Sequence, residues 1–296
     1  MRFRRYARPL GFILLAGVTV YGVHQFLTGD LTSVLTSWRG KGPSLLGAQG
    51  VAVLGVVLNG VSWMWLCRVF GIRVWDARGV AIYLSGHAGI LLPVHLGNLV
   101  RPEAITRLGR GSLGDCLRVE ATFFVIDGAA AVVVLAGLGT YLVYPLAAGG
   151  AALATAVVLF LTADRLTALL SGTRVTLPDK FWRQWSVLGL LLIGMAQWIL
   201  HGLALYLVAW DLPGQVGLVE TLVAAPLSSC LGVGTGSPGG IGAVEGLLGT
   251  GLKIMHVPTA HLALAVAAFR LVTFWVWLPI GWGALVIVNR CGPQRA

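Results

Sequence analysis

Two stretches, LLPVHLGNLVRPE (residues 91–103) and GTGSPGGIGAVE (residues 234–245), decide how this chain folds. Each has a proline four residues before a glycine and an acidic residue shortly afterwards, and each lies where hydropathy alone would place a membrane helix. Paired segments that are broken by Pro and Gly, at corresponding places in the two halves of a membrane protein, point to a transporter-type binding site. The two stretches therefore predict a pair of broken helices inside a membrane.

The composition is that of a helical membrane protein. Of the 296 residues, 57% are hydrophobic and 11% are charged, and the mean hydropathy is +0.84, whereas soluble chains carry about 25% charged residues. A transmembrane helix needs roughly 20 mainly apolar residues. The runs that approach this requirement are 9–27, 44–66, 120–141, 149–163, 187–209 and 261–288. The predicted fold class is an all-α polytopic membrane protein.

The formal net charge of +10 does not indicate nucleic acid as a partner. Four arginines precede the first apolar run, others flank later runs, and no basic stripe alternates with aromatic side chains. Lys and Arg beside membrane spans are enriched on the cytoplasmic side and attract anionic lipids. The pattern predicts a multi-pass protein with its N-terminus and C-terminus in the cytoplasm.

The first broken stretch has basic residues on both sides, which a simple crossing does not explain. They stand at residues 68, 73 and 78 before it and at 107, 110 and 118 after it. A re-entrant hairpin that turns at Pro93–Gly97 places both flanks in the cytoplasm, and broken backbone is tolerated at membrane depth where protein covers it. The stretch 217–255 has few basic flanks and predicts a second hairpin, which enters from outside.

Helix, broken hairpin and helix therefore occur twice, over residues of about 44–141 and 187–288. The prediction for the whole chain, 1–296, is one membrane domain. It has about six full transmembrane helices and two broken re-entrant hairpins in an inverted-topology repeat, with 9–27 and 149–163 as additional helices.

The second break combines glycines with an acidic residue. Its candidate ligand-binding residues are Ser237, Gly239, Gly240, Gly242 and Glu245, with Pro238 as a hinge. Glycines let the backbone approach a ligand closely, and free N–H groups at a helix start bind anions such as phosphate. Two alternatives remain: the glycines allow close helix packing, and Glu245 caps its own helix.

Two arginines are candidates for binding an anionic headgroup. Arg101 lies beside the first break, whose predicted hinges are Pro93 and Gly97. A guanidinium can bind a phosphate through two parallel hydrogen bonds. The alternative for Arg101 is snorkelling to the headgroup layer. Arg270 lies well inside the last apolar run, so we expect a partner in Glu245, in Asp127 or in a lipid phosphate. A purely structural buried pair fits Arg270 equally well.

Other polar residues near the spans are assigned supporting roles. These are Glu103, Asp127 and Asn98. Glu120 and Asp127 are seven residues apart and share a helix face; Glu120 is expected near the membrane interface. For Asp127, a structural partnership with an arginine is favoured over proton coupling. No catalytic motif, cofactor motif or metal-ligand spacing is found, so neither enzyme activity nor a cofactor is expected.

The two breaks together resemble the lysylphosphatidylglycerol synthase transmembrane-region family. Its members show L-P-x-x-x-G-E-x-x-R in the first half and P-G-G-x-G-x-x-E in the second. Here residues 92–101 read LPVHLGNLVR, residues 238–245 read PGGIGAVE, and Arg270 is family-like. The usual Glu of the first motif is Asn98, and Phe123-Phe124 replaces a Glu-Arg pair before Asp127. The resemblance thus implies shared machinery at the second break and a choice of substrate at the first.

The resemblance implies a role with lipids. In bifunctional members this region is associated with flipping a phospholipid that a separate soluble domain modifies, and that domain is not expected here, since the sequence stops soon after its last helix. Our leading expectation is a flippase or lipid-transport protein of the bacterial cytoplasmic membrane, with an anionic phospholipid or polyprenyl lipid as ligand.

Two alternatives to transport remain. The first alternative is a non-transporting accessory protein that holds a lipid-biosynthetic enzyme of an envelope-lipid pathway such as hopanoid or glycolipid synthesis. The second is a membrane enzyme that acts on a headgroup; a homodimer stays open in each case. A water-filled cavity lined by the arginines would favour transport, whereas a dry core with paired charges would favour the accessory role.

Overall fold

The computed structural model describes residues 41–92, 97–171 and 181–290, and its regular elements are all helical in those ranges. The helices are α1 (Gly42–Val69), α2 (Ala77–Ser85), α3 (Val100–Arg107), α4 (Leu113–Val143), α5 (Ala148–Ser171), α6 (Trp185–Ala209), α7 (Leu218–Gly234), α8 (Ala243–Ile254), α9 (Thr259–Arg270) and α10 (Trp277–Arg290). The predicted all-α class is confirmed for this part of the chain.

Five helices in the described ranges are long and apolar enough to cross a membrane. They are Gly42–Val69, Leu113–Val143, Pro145–Leu166, Trp185–Ala209 and Thr259–Arg290. Each contains one of the predicted apolar runs. The last combines α9, a turn of π-helix at Leu271–Trp275 and α10. The predicted first helix, 9–27, lies outside the described residues.

The first break forms a helical hairpin whose arms are α2 and α3. Gly89 and Gly97 bring the two arms together so closely that a Cβ on either would overlap the backbone of the other. The hinge Pro93 lies outside the described residues. At the base of the hairpin, Asp76 caps α2 by accepting the Gly79 N–H at 2.7 Å and receives two hydrogen bonds from Arg110. These hydrogen bonds hold the pKa of Asp76 below its ordinary value.

The second break forms a similar hairpin from α7 and α8. Near the turn, Gly232 packs against Val244. Towards the base, a Cβ on Gly251 would lie 3.3 Å from the Cβ of Ala224. The pairing runs in opposite directions along the two arms, so the chain folds back on itself. The Gln215 N–H donates to the Met255 carbonyl at 2.8 Å and closes the base.

The turns of the two hairpins meet against the last long helix. A Cβ on Gly239 would lie 2.6 Å from Cζ of Phe274 and 3.3 Å from Cδ2 of Leu91. Leu91, Phe274 and Leu278 form a buried apolar cluster at this point. Farther along α10, Gly281 packs against His87 and Ala88 of the first hairpin. The last long helix therefore contacts both broken segments.

Candidate functional site

Arg270 lies at the centre of a polar cluster at the second break. The residue is 7% exposed, and its Nε is 2.7 Å from Oε1 of Glu245. Its Nη2 donates to the Gly239 carbonyl at 2.8 Å, and the guanidinium lies 4.0 Å from the ring centroid of Phe274. Arg270 is the last residue of α9, and the π-helical turn that follows it is an element frequently found at functional sites. Of the three partners left open for Arg270, Glu245 is the one that the described structure places beside it.

The glycines of this break give the backbone a conformation that side chains disfavour. Gly239 has a φ of 60° and Gly242 a φ of 86°, in the left-handed region that glycine adopts readily. The turn places the Gly242 N–H 2.7 Å from Oε2 of Glu245. Glu245 therefore caps its own helix, as one alternative predicted, and also neutralises Arg270.

Close packing accounts for other glycines of the same break. A Cβ on Gly240 would lie 2.7 Å from Cγ2 of Val244, so the packing alternative holds at that position.

Ser237 exchanges a hydrogen bond with the hydroxyl of Thr235 at 2.9 Å and does not reach Arg270 through any contact in the described residues. Pro238 begins the short turn that carries Gly239, which is the hinge position predicted for it.

Arg101 forms a second cluster, built from the first half of the chain. It is 3% exposed, donates through Nε to the Tyr83 carbonyl at 3.1 Å, and lies 3.5 Å from Glu120. Its guanidinium stacks 4.6 Å from the Tyr83 ring centroid and 5.4 Å from that of Trp63. The snorkelling alternative is therefore wrong for Arg101, because two aromatic rings and a carboxylate hold its guanidinium inside the protein.

Glu120 and Trp63 are members of this cluster that the sequence did not assign to a site. The Trp63 indole N–H donates to Oε1 of Glu120 at 2.8 Å, and Trp63 has no exposed surface. Glu120 is the counterion of Arg101, and its side chain is 12% exposed; its expected position near the membrane interface stays a prediction. The signal available in the sequence was an acidic residue at the start of the apolar run 120–141, where a charge needs a partner.

The supporting residues of the first break lie elsewhere. Glu103 forms an ion pair with Arg107 at 3.6 Å on a half-exposed side of α3. Asn98 is half-buried in the turn that precedes α3. The counterion of Arg101 is thus supplied by α4 and not by the carboxylate two residues after it.

Asp127 does not have the arginine partner that we expected. No ion pair of Asp127 is found in the described residues, where Arg270 pairs with Glu245 and Arg101 with Glu120. The indole N–H of Trp198 donates to the backbone oxygen of Asp127 at 3.0 Å. The reason is geometric: α4 presents Glu120 to the first hairpin, and its next turns face α1 and α6.

The comparison with known proteins gives one result. A family model described as the lysylphosphatidylglycerol synthase TM region matches residues 9–281. No curated protein and no solved structure matches the chain. The match includes both breaks and both arginine clusters.

Proposed function

Because the chain belongs to the lysylphosphatidylglycerol synthase TM region family, we propose that it is a flippase or lipid-transport protein that binds an anionic lipid headgroup at the second break. The family and the five apolar helices identify a multi-pass membrane protein in lipid-related processes. The substrate we propose is an anionic phospholipid or a polyprenyl phosphate lipid. The ligand-binding residues are Arg270 and the backbone N–H groups around Gly242.

The observation that carries this proposal is the position of the Glu245 carboxylate. One carboxylate oxygen contacts the Arg270 guanidinium and the other accepts a hydrogen bond from the Gly242 N–H, each at 2.7 Å. A phosphate makes the same kinds of contact, with a guanidinium and with the orphan N–H groups at a helix start. The contacts of the Glu245 carboxylate therefore support an anion site at this turn.

A headgroup phosphate would take the place of this carboxylate. The Glu245 side chain is 31% exposed, whereas that of Arg270 is 8% exposed, so the carboxylate can turn outward while the guanidinium stays fixed. The adjoining contact of Gly239 with Phe274 and Leu91 closes the space between the two hairpins. In our proposal this state is the closed one, and the hairpin turns separate when a headgroup passes.

The arrangement of the hairpin bases supports entry from opposite sides of the membrane. The base of the second hairpin lies near the start of α1, where Lys41 pairs with Asp211 at 2.9 Å. The base of the first lies at the end of α1, where Arg110 donates to the Arg73 carbonyl. A helix of 28 residues is about 40 Å long at 1.5 Å per residue, which exceeds the thickness of the hydrocarbon core.

A second function, that of an accessory protein without transport, is favoured by one observation. Both buried arginines are already neutralised by carboxylates of the chain itself. A core that does not change conformation requires such pairing, since an uncompensated charge inside a membrane costs free energy. Under this alternative the chain holds a lipid-biosynthetic enzyme, and the Arg270–Glu245 pair serves folding.

Reconstitution of the full chain into liposomes distinguishes these functions. We expect Arg270→Ala to lower the transbilayer rate of a labelled anionic phospholipid by roughly ten- to hundredfold, since a hydrogen bond to a charged group contributes about 1.5–3 kcal/mol. Glu245→Gln should bind the anionic phospholipid more tightly than the wild type, because the competing carboxylate is gone.

The matched control is Arg118→Ala, which removes an arginine that is 36% exposed and pairs with Asp115 at 3.1 Å. This variant should transport like the wild type. Equal loss in Arg118→Ala and Arg270→Ala contradicts the assignment of the site. Unchanged rates in every variant over a panel of anionic lipids favour the accessory function.

A further inference from the structure

Asp127 faces a cleft that neither arginine cluster uses. The cleft lies between α1, α4 and α6 and has room for about one water-sized group. Beside Asp127, its polar lining consists of Asn59 and Ser62, both on α1. Ser62 is 5% exposed, and the hydroxyl of Tyr83 donates to Oδ1 of Asn59 at 2.7 Å and orients the amide.

No fixed cation of the described residues compensates the Asp127 carboxylate. On α2 and α7, the Tyr83 hydroxyl and the Cys230 thiol interact electrostatically with Asp127, and both are neutral near pH 7. On α4 itself, Glu120 is held by Arg101. On α6, His201 contacts the Ser229 hydroxyl at 2.9 Å. An isolated carboxylate in a membrane interior is strongly disfavoured, so a cation that enters the cleft would be stabilised by this charge.

We propose that this cleft binds one monovalent cation at Asp127. Three of its lining residues carry oxygen donors, a carboxylate, an amide carbonyl and a hydroxyl, which are hard donors suited to an alkali metal ion or an ammonium group. Only one formal negative charge is present, so a monovalent cation leaves the site neutral whereas a divalent ion leaves a charge inside the membrane.

The cation site is separate from the anion site at the second break. Its residues belong to α1 and α4, and none of them contacts Arg270 or Glu245 in the described structure. Binding would join Asp127 of α4 to Asn59 and Ser62 of α1. Occupancy should therefore stabilise the folded protein, independently of any lipid and of any transport activity.

Thermal unfolding of the purified full chain in detergent tests the site. The unfolding midpoint is compared in chlorides of sodium, potassium, methylammonium and the bulky N-methylglucammonium at equal ionic strength, and over a range of pH. We expect one small cation to raise the midpoint of the wild type by several degrees relative to N-methylglucammonium. Asp127→Asn should abolish this difference, because its neutral amide needs no counterion.

The arms of the experiment identify the cation. If the wild-type midpoint instead falls as pH rises in N-methylglucammonium and none of the other cations restores it, a proton alone neutralises Asp127 and the proposal is overturned. Asp164→Asn, which changes an exposed carboxylate of α5, is the matched control and should behave like the wild type. Identical responses of the wild type and Asp127→Asn to every cation and to pH overturn the proposal.

Discussion

At the residue scale, Arg101 and Arg270 are stabilised by the same three kinds of contact. Each guanidinium has a carboxylate, donates to a backbone carbonyl and stacks on an aromatic ring. The sequence identified both arginines, because a charge in an apolar run requires an explanation. It could not identify Glu120 as a partner, since that pairing depends on how α4 is rotated against the first hairpin, which no local pattern encodes.

The Arg101 cluster gives a prediction about stability. Glu120→Gln leaves the Arg101 guanidinium buried without its counterion, and breaking a buried pair in this way costs about 3–5 kcal/mol. The double variant Arg101→Met/Glu120→Gln should recover much of that loss, since both charges are then removed. The free energy of unfolding of the wild type, the two single variants and the double variant measures the coupling.

The control for this cycle is the exposed pair Arg118 and Asp115. Its coupling should be about 0.2–1 kcal/mol or less. Additive effects of Arg101→Met and Glu120→Gln would contradict a direct interaction, and the assignment of Arg101 to a structural cluster would then be wrong.

At the scale of elements, each hairpin depends on glycines where two backbones meet. The sequence predicted both breaks, because Pro and Gly interrupt an apolar run in a recognisable way. It named Gly97 as a hinge but gave no role to Gly89, whose requirement arises only when the arms pack together. Local sequence therefore predicts where a helix breaks more readily than which residues of its two arms touch.

Gly89→Ala should destabilise the first hairpin. Its methyl group overlaps the Gly97 backbone, and the arms must move apart; overpacking of this kind costs about 1–3 kcal/mol. The matched control is Gly139→Ala in α4, where a Cβ meets nothing within 4 Å and removes about 0.5–1 kcal/mol of glycine's conformational penalty. Unfolding midpoints in detergent should fall for the first variant only. An equal response of both variants would contradict the close approach.

At the scale of the whole molecule, the basic residues divide between the two ends of α1. The base of the first hairpin carries Arg73, Arg78, Arg107 and Arg110, whereas the base of the second carries Lys41 and Lys253. Hydropathy and charge together predicted this organisation, since span lengths and basic flanks are properties of sequence alone. The meeting of the hairpin turns at Phe274 is a result of tertiary packing, which no local pattern of the sequence encodes.

The charge difference predicts which side of the membrane each base faces. Because Arg and Lys are retained in the cytoplasm, we expect the first base on the cytoplasmic side and the second outside. Gly114→Cys, just after the first base, and Gln215→Cys, at the second, are introduced singly into a chain whose four native cysteines are replaced by alanine. Both positions are exposed. An impermeant maleimide applied to right-side-out vesicles should label only Gln215→Cys, and applied to inverted vesicles only Gly114→Cys. Labelling of both positions from one side would place the two bases together and contradict the inverted arrangement of the hairpins.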